Sequence, residues 1–232
     1  MHESSRYSYK MFLDVYLQRS VNSSYEALEV GSRDVNGSIL RDERTDVTWR
    51  SVDIEAGPGV TNVITDPYMY PFADESFDAV ISTSVFEHME FFWLAFLEMA
   101  RVCKQNGYIY INVPSNGPIH RFPIDAWRFY PDAGSVLSNW AIKNGFKIAL
   151  IESLMLNRSN ESAWVDSVYV FKKGGSNKLD DTDTLKNHFG DLVYFDGTKA
   201  VEDYESIPHP DNLWKKEVRL KLKEITKILK SI

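Results

Sequence analysis

The stretch YEALEVGSRDVNGSIL, residues 25–40, decides how this chain is to be read. Ala27-Leu28-Glu29-Val30 is a short apolar run with an acid inside it, and it stops at Gly31. A buried strand that feeds a glycine turn is the usual start of a ligand-binding α/β layer. The loop beyond has one more glycine, Gly37, set among Arg33, Asp34 and Asn36. A diphosphate wants a tight glycine-rich loop and a helix start free of negative charge. This turn offers neither.

Working outward, strand-like and helix-like segments alternate. Period-two or short apolar runs predict strands at 26–30, 48–54, 60–65, 77–82, 107–113, 146–153 and 164–172. Helical spacing of Met11, Phe12, Val15 and Tyr16 predicts a helix over 6–21. Residues 89–105, apolar around much of the circumference, predict a buried crossover helix, and 132–144 a further one ending at Asn144-Gly145. The expected fold is α/β: a doubly wound, mostly parallel, seven-stranded Rossmann-like sheet with helices on both faces and an antiparallel last strand.

The expected organisation is an N-terminal helix (1–24), a main domain (25–173), a polar linker or extension (174–211) and a C-terminal amphipathic helix (212–232). The net charge of −7 is uneven. Residues 215–232 carry seven Lys/Arg and two Glu, a net of +5, which leaves −12 (−7 − 5) for the rest. An acidic body argues against a nucleic-acid partner, whose phosphates call for neutralisation. The apolar stripe Val218, Leu222, Ile225, Leu229 and Ile232 makes the tail a candidate for packing on the domain, for a homodimer contact or for a membrane surface. No apolar run reaches the roughly 18–20 residues of a membrane span, and MHESSRYSYK lacks a signal-peptide core. The lone Cys103 excludes an internal disulfide and a cysteine zinc site, so a cytoplasmic setting is expected and no metal is called for.

In such a sheet, ligands bind beyond the carboxyl ends of the strands. Collected there are Glu29, Gly31 and Ser32 after the first strand, and Asp53-Ile54 after the second, 24 positions beyond Glu29. Asp66-Pro67 follows the third, and Ser82, Thr83 and Ser84 close the fourth before Glu87-His88. A carboxylate at the position of Asp53 commonly takes ribose hydroxyls. Each acid has a plainer reading, Glu29 as a strand-edge acid and Asp53 or Asp66 as turn formers. Three in register favour a phosphate-free, cationic adenosine ligand such as S-adenosylmethionine.

The block from Ala27 to about Ala133 resembles a class I S-adenosylmethionine-dependent methyltransferase of the type-11 kind. LEVGS is similar to the family's first motif, VDIEAGPGV to the second, and ITDPYMYPFADESFDAVISTSVFEHM to the third and fourth. The stretch HRFPIDAWRFYPDA resembles a subgroup found among glycan-biosynthesis enzymes. The resemblance implies that Glu29 and Gly31 meet the methionine moiety, Asp53 the ribose, Asp66 the adenine amino group and Ile54 its ring. Arg33 stands where the family has its second loop glycine.

For an acceptor hydroxyl, a base is needed. His88, His120 and Asp125 are candidates, and Arg121, Trp127, Arg128 and Tyr130 are candidate acceptor contacts in the long loop after the fifth strand. The plainer alternatives are that His88 bonds a nearby carbonyl, that Asp125 pairs with Arg121 or Arg128, and that Trp127 and Phe129 anchor the core. The expected activity is methyl transfer to a hydroxyl of a small molecule or glycan precursor. The competing readings are a nicotinamide-dependent sugar oxidoreductase or epimerase, and a catalytically inactive scaffold.

Overall fold

The computed structural model describes residues 3–18, 24–34, 44–156, 164–174, 183–188, 193–195 and 210–229. The chain divides into two units, Met1–Ala200 and Val201–Ile232. In the first, β1 (Tyr25–Val30), β2 (Val47–Asp53), β3 (Asn62–Val63), β4 (Phe77–Thr83) and β5 (Cys103–Asn116) are parallel neighbours in the order β3-β2-β1-β4-β5. β7 (Val165–Lys173) runs antiparallel between β5 and β6 (Ile148–Met155), and the short β8 (Val193–Phe195) adds an eighth strand at the edge of β6. The seven expected strands and the antiparallel final one are all present; β8 lies in the segment expected as linker.

The central strands alternate between two cores. On β4, Ala79 and Ile81 face one and Val80 the other; on β5, Tyr110 opposes Ile109 and Ile111; on β7, Val168 and Val170 oppose Tyr169 and Phe171. A sheet apolar on both faces must be covered on both. Helices α2 (Phe92–Val102) and α3 (Asp132–Lys143) cover one face through Phe96, Met99, Leu137 and Ala141. Helix α1 (Glu3–Tyr16) covers the other, where Phe12 packs on Tyr110 with ring centroids 4.8 Å apart.

The last turn of α1 is held by a side chain that sequence patterning does not reveal. Arg44 is buried, donates to the carbonyls of Leu13 (2.6 Å) and Leu17 (2.5 Å), and pairs with Asp46 (2.7 Å). Helix-end carbonyls lack internal partners, and a guanidinium satisfies two of them at once. Glu152, buried in β6, similarly accepts from Tyr16 Oη and from the backbone N–H groups of Leu185 and Lys186 (3.0 Å each) in the 3₁₀ turn Leu185–His188. Part of the expected linker is thereby built into the main unit.

Boundaries differ where side chains replace ladder bonds. β3 shrinks to two residues because Ser51 N–H donates to Thr61 Oγ1 (2.8 Å) and Thr61 N–H to Ser51 Oγ (2.7 Å). The crossover helix starts at Phe92, since Phe86–His88 forms its own 3₁₀ turn and Met89 is extended. In the second unit, α4 (Pro210–Leu229) exposes Leu222 and Ile225. Leu229 and Ile232 of the expected stripe, Asn36, Gly37 and residues 19–21 have no described side chains or lie outside the described residues.

Replacing Arg44 with Met should lower stability by about 2–4 kcal/mol, because two carbonyls and Asp46 lose their donor together. Urea unfolding followed by far-ultraviolet dichroism measures it.

Candidate active site

Parallel pairing puts the carboxyl ends of β1 to β5 on one edge. Val30 is level with Val52 and Ser82, and Asp53 with Val63, so the post-strand turns are neighbours. Gly31 has φ +71°, and a Cβ there would sit 2.1 Å from Val85 Cγ2, so only glycine fits. Its N–H donates to Val52 O (2.9 Å), and Ser32 beside it is buried. The turn after β1 is thereby pressed against the segment that leaves β4.

Arg33, in the place of a second glycine, ties this loop to the next one. Its N–H donates to Asp53 Oδ2 (2.9 Å), its guanidinium pairs with Glu55, and its stem lies over Gly57. Asp53 also accepts from Glu55 N–H (3.0 Å). Each Asp53 oxygen keeps a second lone pair for a ligand. Ile54, 51% exposed, stands next to it as an apolar surface. Asp66 is exposed in the turn with Pro67; Oδ1 accepts from Tyr68 N–H (2.8 Å), which leaves Oδ2 for a ligand. Glu29 is half-buried on β1, level with Ser51 and Ile81. Ser82 Oγ is buried without a hydrogen-bond partner among the described residues. Vicinal carboxylates, an exposed aliphatic side chain and a backbone cradle suit a nucleoside bearing positive charge, so the residues fit S-adenosylmethionine.

On the far side of β4 the chain turns sharply. Ser84 takes φ +55°, and its N–H donates to Asn112 O (2.9 Å). Three bonds then clip the long loop after β5 to the Phe86–Met89 turn. Ala126 N–H donates to Glu87 O (2.8 Å), Trp127 Nε1 to Met89 O (2.8 Å) and His88 Nδ1 to Ile124 O (2.5 Å). His120 is carried to His88, with ring centroids 4.7 Å apart and edge to face. Near both lies Glu87, fully buried, neither of whose carboxylate oxygens hydrogen-bonds another described residue. Burial pushes its carboxyl up to about 8, and Asp166 adds to the shift. Burial lowers His88 as well, favouring neutral imidazole.

The other loop candidates divide. Asp125 does not stand as a base: Arg128 grips both its oxygens, and this bond holds its carboxyl well below the usual range. It also accepts from His120 N–H (2.8 Å), so it shapes the loop. Arg128 is correspondingly bonded to Asp125 and to the carbonyls of Trp127 and Pro118, which braces the loop. Trp127 packs on Phe92 (5.3 Å) while remaining 37% exposed. Phe129 is core, and Arg121 and Tyr130 are exposed on the loop. Sequence reasoning passed over Glu87 as a mere helix opener. The signal was an acid flanked by Phe86 in an apolar turn, where charge is out of place.

Residues 24–111 match the family model described as a methyltransferase domain. The fold is also that of solved methyltransferases. A Burkholderia thailandensis 1,6-didemethyltoxoflavin-N1-methyltransferase, solved with S-adenosylhomocysteine, superposes with TM-score 0.57 at 14% identity, over 75% of this chain and 79% of that one. A Haemonchus contortus phosphoethanolamine N-methyltransferase 2 gives 0.50 at 13%, over 73% and 52%. The [4+2]-cyclase SpnF gives 0.51 at 12%, over 73% and 81%. No curated protein matches significantly. Residues 24–111 are thus similar to a methyltransferase domain, and the fold is the Rossmann-like one of these solved proteins. No described helix is long and apolar enough to cross a membrane.

Two expectations follow. Gly31→Ala should lower the melting temperature, and Val85→Ala in the same chain should recover only the steric part, because the left-handed φ remains. Differential scanning fluorimetry reads both. Glu87, raised when folded, contributes stability that is complete below its unfolded value of 4.5 and is lost as pH rises to about 8. Glu87→Gln should therefore match the wild type near pH 4.5 and be more stable at pH 9, by a few kcal/mol in chemical denaturation.

Proposed function

We propose that this domain transfers a methyl group from S-adenosylmethionine to a hydroxyl of a small molecule or sugar precursor. The observation that carries this reading is Glu87, buried, proton-avid and flanked by His88 and His120, at the same sheet edge as the acidic rim. Methylating a hydroxyl requires the oxygen to shed a proton; an amine needs none beyond its own basicity. The two methyltransferases compared are N-methylating by name, so the preference for oxygen rests on this cluster.

Bound at the rim, the donor supplies an electrophilic methyl on a cationic sulfur. Asp53 accepts the ribose hydroxyls, Asp66 Oδ2 the adenine amino group, and Ile54 covers the ring. Glu29, Gly31, Ser32 and Ser82 line the methionine end, with Pro67 closing the adenine side. The negative rim favours a sulfonium over its neutral thioether product, which assists release. The Glu87–His88–His120 cluster takes up the hydroxyl proton. The carbon–oxygen bond forms as the carbon–sulfur bond breaks, its electron pair staying on sulfur. Arg121, Trp127 and Tyr130 give the loop a cationic and aromatic face that suits a sugar or its anionic derivative.

The glycan-precursor acceptor, the cytoplasmic setting and a homodimer through the α4 stripe belong to the same proposal. Cys103, the one cysteine of the chain, is buried and free, which suits a reducing compartment. Leu222 and Ile225 remain more than half exposed for a second copy.

Calorimetry should show S-adenosylhomocysteine binding to the wild type, about tenfold or more weaker binding to Asp53→Ala, and no heat with NAD. Labelled donor with sugars, nucleotide-sugars and lipid-linked glycans tests the acceptor. Binding without transfer to any pool would favour an inactive scaffold, and NAD binding would restore the oxidoreductase.

A further inference from the structure

The turn after β4 and the loop after β5 bring three ligand-bearing side chains together. The donor atoms of Glu87, His88 and His120 all lie within 4.8 Å of one another. Glu87 Oε1 is 3.7 Å from His88 Nε2 and 4.0 Å from His120 Nε2. No other described side chain donates a hydrogen bond to the carboxylate; its own backbone N–H and the charge of Arg128 offset its burial only in part. A fully buried acid that accepts no hydrogen bond from a neighbour is costly, and such groups in native proteins answer to an ion, a water or a proton.

The imidazoles are set up from behind. His88 Nδ1 faces the Ile124 carbonyl at 2.5 Å, and a carbonyl only accepts, so this nitrogen carries the hydrogen. Nε2 is then a lone pair aimed toward a carboxylate oxygen. His120 Nδ1 lies 3.4 Å from Asp125 Oδ2, and Asp125 is pinned by Arg128, while Nε2 faces Glu87. Two acceptors turned on one another repel unless something positive lies between. A shared proton is one answer and a metal cation the other, and the three donor atoms are grouped closely enough for the second. The Ile124 carbonyl holds the far nitrogen of His88, the standard support of a metal site, while His120 Nδ1 has no hydrogen-bond partner among the described residues.

We infer that Glu87, His88 and His120 bind a first-row transition-metal dication through one carboxylate oxygen and the two Nε2 atoms. One hard and two borderline donors favour Mn²⁺, Fe²⁺, Co²⁺, Ni²⁺ or Zn²⁺ over Mg²⁺ or Ca²⁺, which take oxygen. Metal–ligand distances of about 2.0–2.2 Å separate neighbouring donors by roughly 3–3.5 Å, so the side chains must close by up to about 1.5 Å. Three protein donors leave coordination positions open. The inference deepens the methyl-transfer reading, on which it rests only for its consequence: an acceptor hydroxyl at an open position ionises more readily.

The test uses the full chain, free of any histidine tag, stripped with EDTA and desalted. Mn²⁺ is titrated by electron paramagnetic resonance, Zn²⁺ and Mg²⁺ by calorimetry, and S-adenosylhomocysteine binding is measured on the same samples. Expected are about one equivalent of Mn²⁺ or Zn²⁺, weaker Mg²⁺, and affinity reduced about tenfold or more in Glu87→Gln and His120→Ala. His120 lies on the loop, so His120→Ala keeps the test interpretable if Glu87→Gln misfolds, with circular dichroism as the check. A folded wild type without stoichiometric binding, or binding unchanged in His120→Ala, overturns the inference. S-adenosylhomocysteine bound without metal overturns the cation site alone. Metal bound without S-adenosylhomocysteine upholds the cation site and removes the donor reading.

Discussion

A five-stranded parallel ribbon cannot leave either face to water. Parallel strands need crossovers, and the crossovers lay α2 and α3 on one face while α1 closes the other. That constraint has a second consequence, at the edge. Every crossover leaves β1 to β5 from the same end, so polar turns accumulate along one rim with buried strands directly beneath. Backbone groups at those strand ends are left for ligands. The site is therefore a by-product of covering the sheet, and its chemistry depends on which side chains the turns carry.

What the turns carry was legible in part. ALEV and FDAVIS read as short, mostly apolar runs because both sheet faces are apolar, so the existence of these strands could be read. The rim acids were equally visible, since a carboxylate at the end of an apolar run stands out. Boundaries were not: β3 is cut short by the Ser51–Thr61 side-chain exchange, and no propensity encodes a bond between residues ten apart. Arg44 and Glu152 were invisible for the same reason. Their partners, Leu17, Tyr16 and Leu185, lie far off in sequence.

The loop after β5 shows a different limit. Its length announced a function, and HRFPIDAWRFYPDA displayed every residue that matters. Which residues brace and which act depended on pairing. Asp125 and Arg128, three apart, satisfy each other and so are withdrawn from chemistry. Their clamp presents His120, and the clips to Glu87 O, Met89 O and Ile124 O present His88. Glu87 accepts no hydrogen bond from another described residue, where Asp125 has two partners.

One rim thus holds two electrostatic regimes. At β1 to β3, carboxylates are exposed or bonded to backbone N–H groups, which suits a cation held in partly aqueous surroundings. Past β4, the chain carries its acid inward through the left-handed Ser84 turn, and Glu87 ends where ionisation needs a companion. The two are joined at Gly31, whose missing side chain admits Val85, two residues before that acid. The cyclase SpnF has the same sheet, so the layer alone does not select a reaction. Beyond the layer, the Val85–His88 turn and the loop clipped onto it bring a buried carboxylate and two imidazoles together.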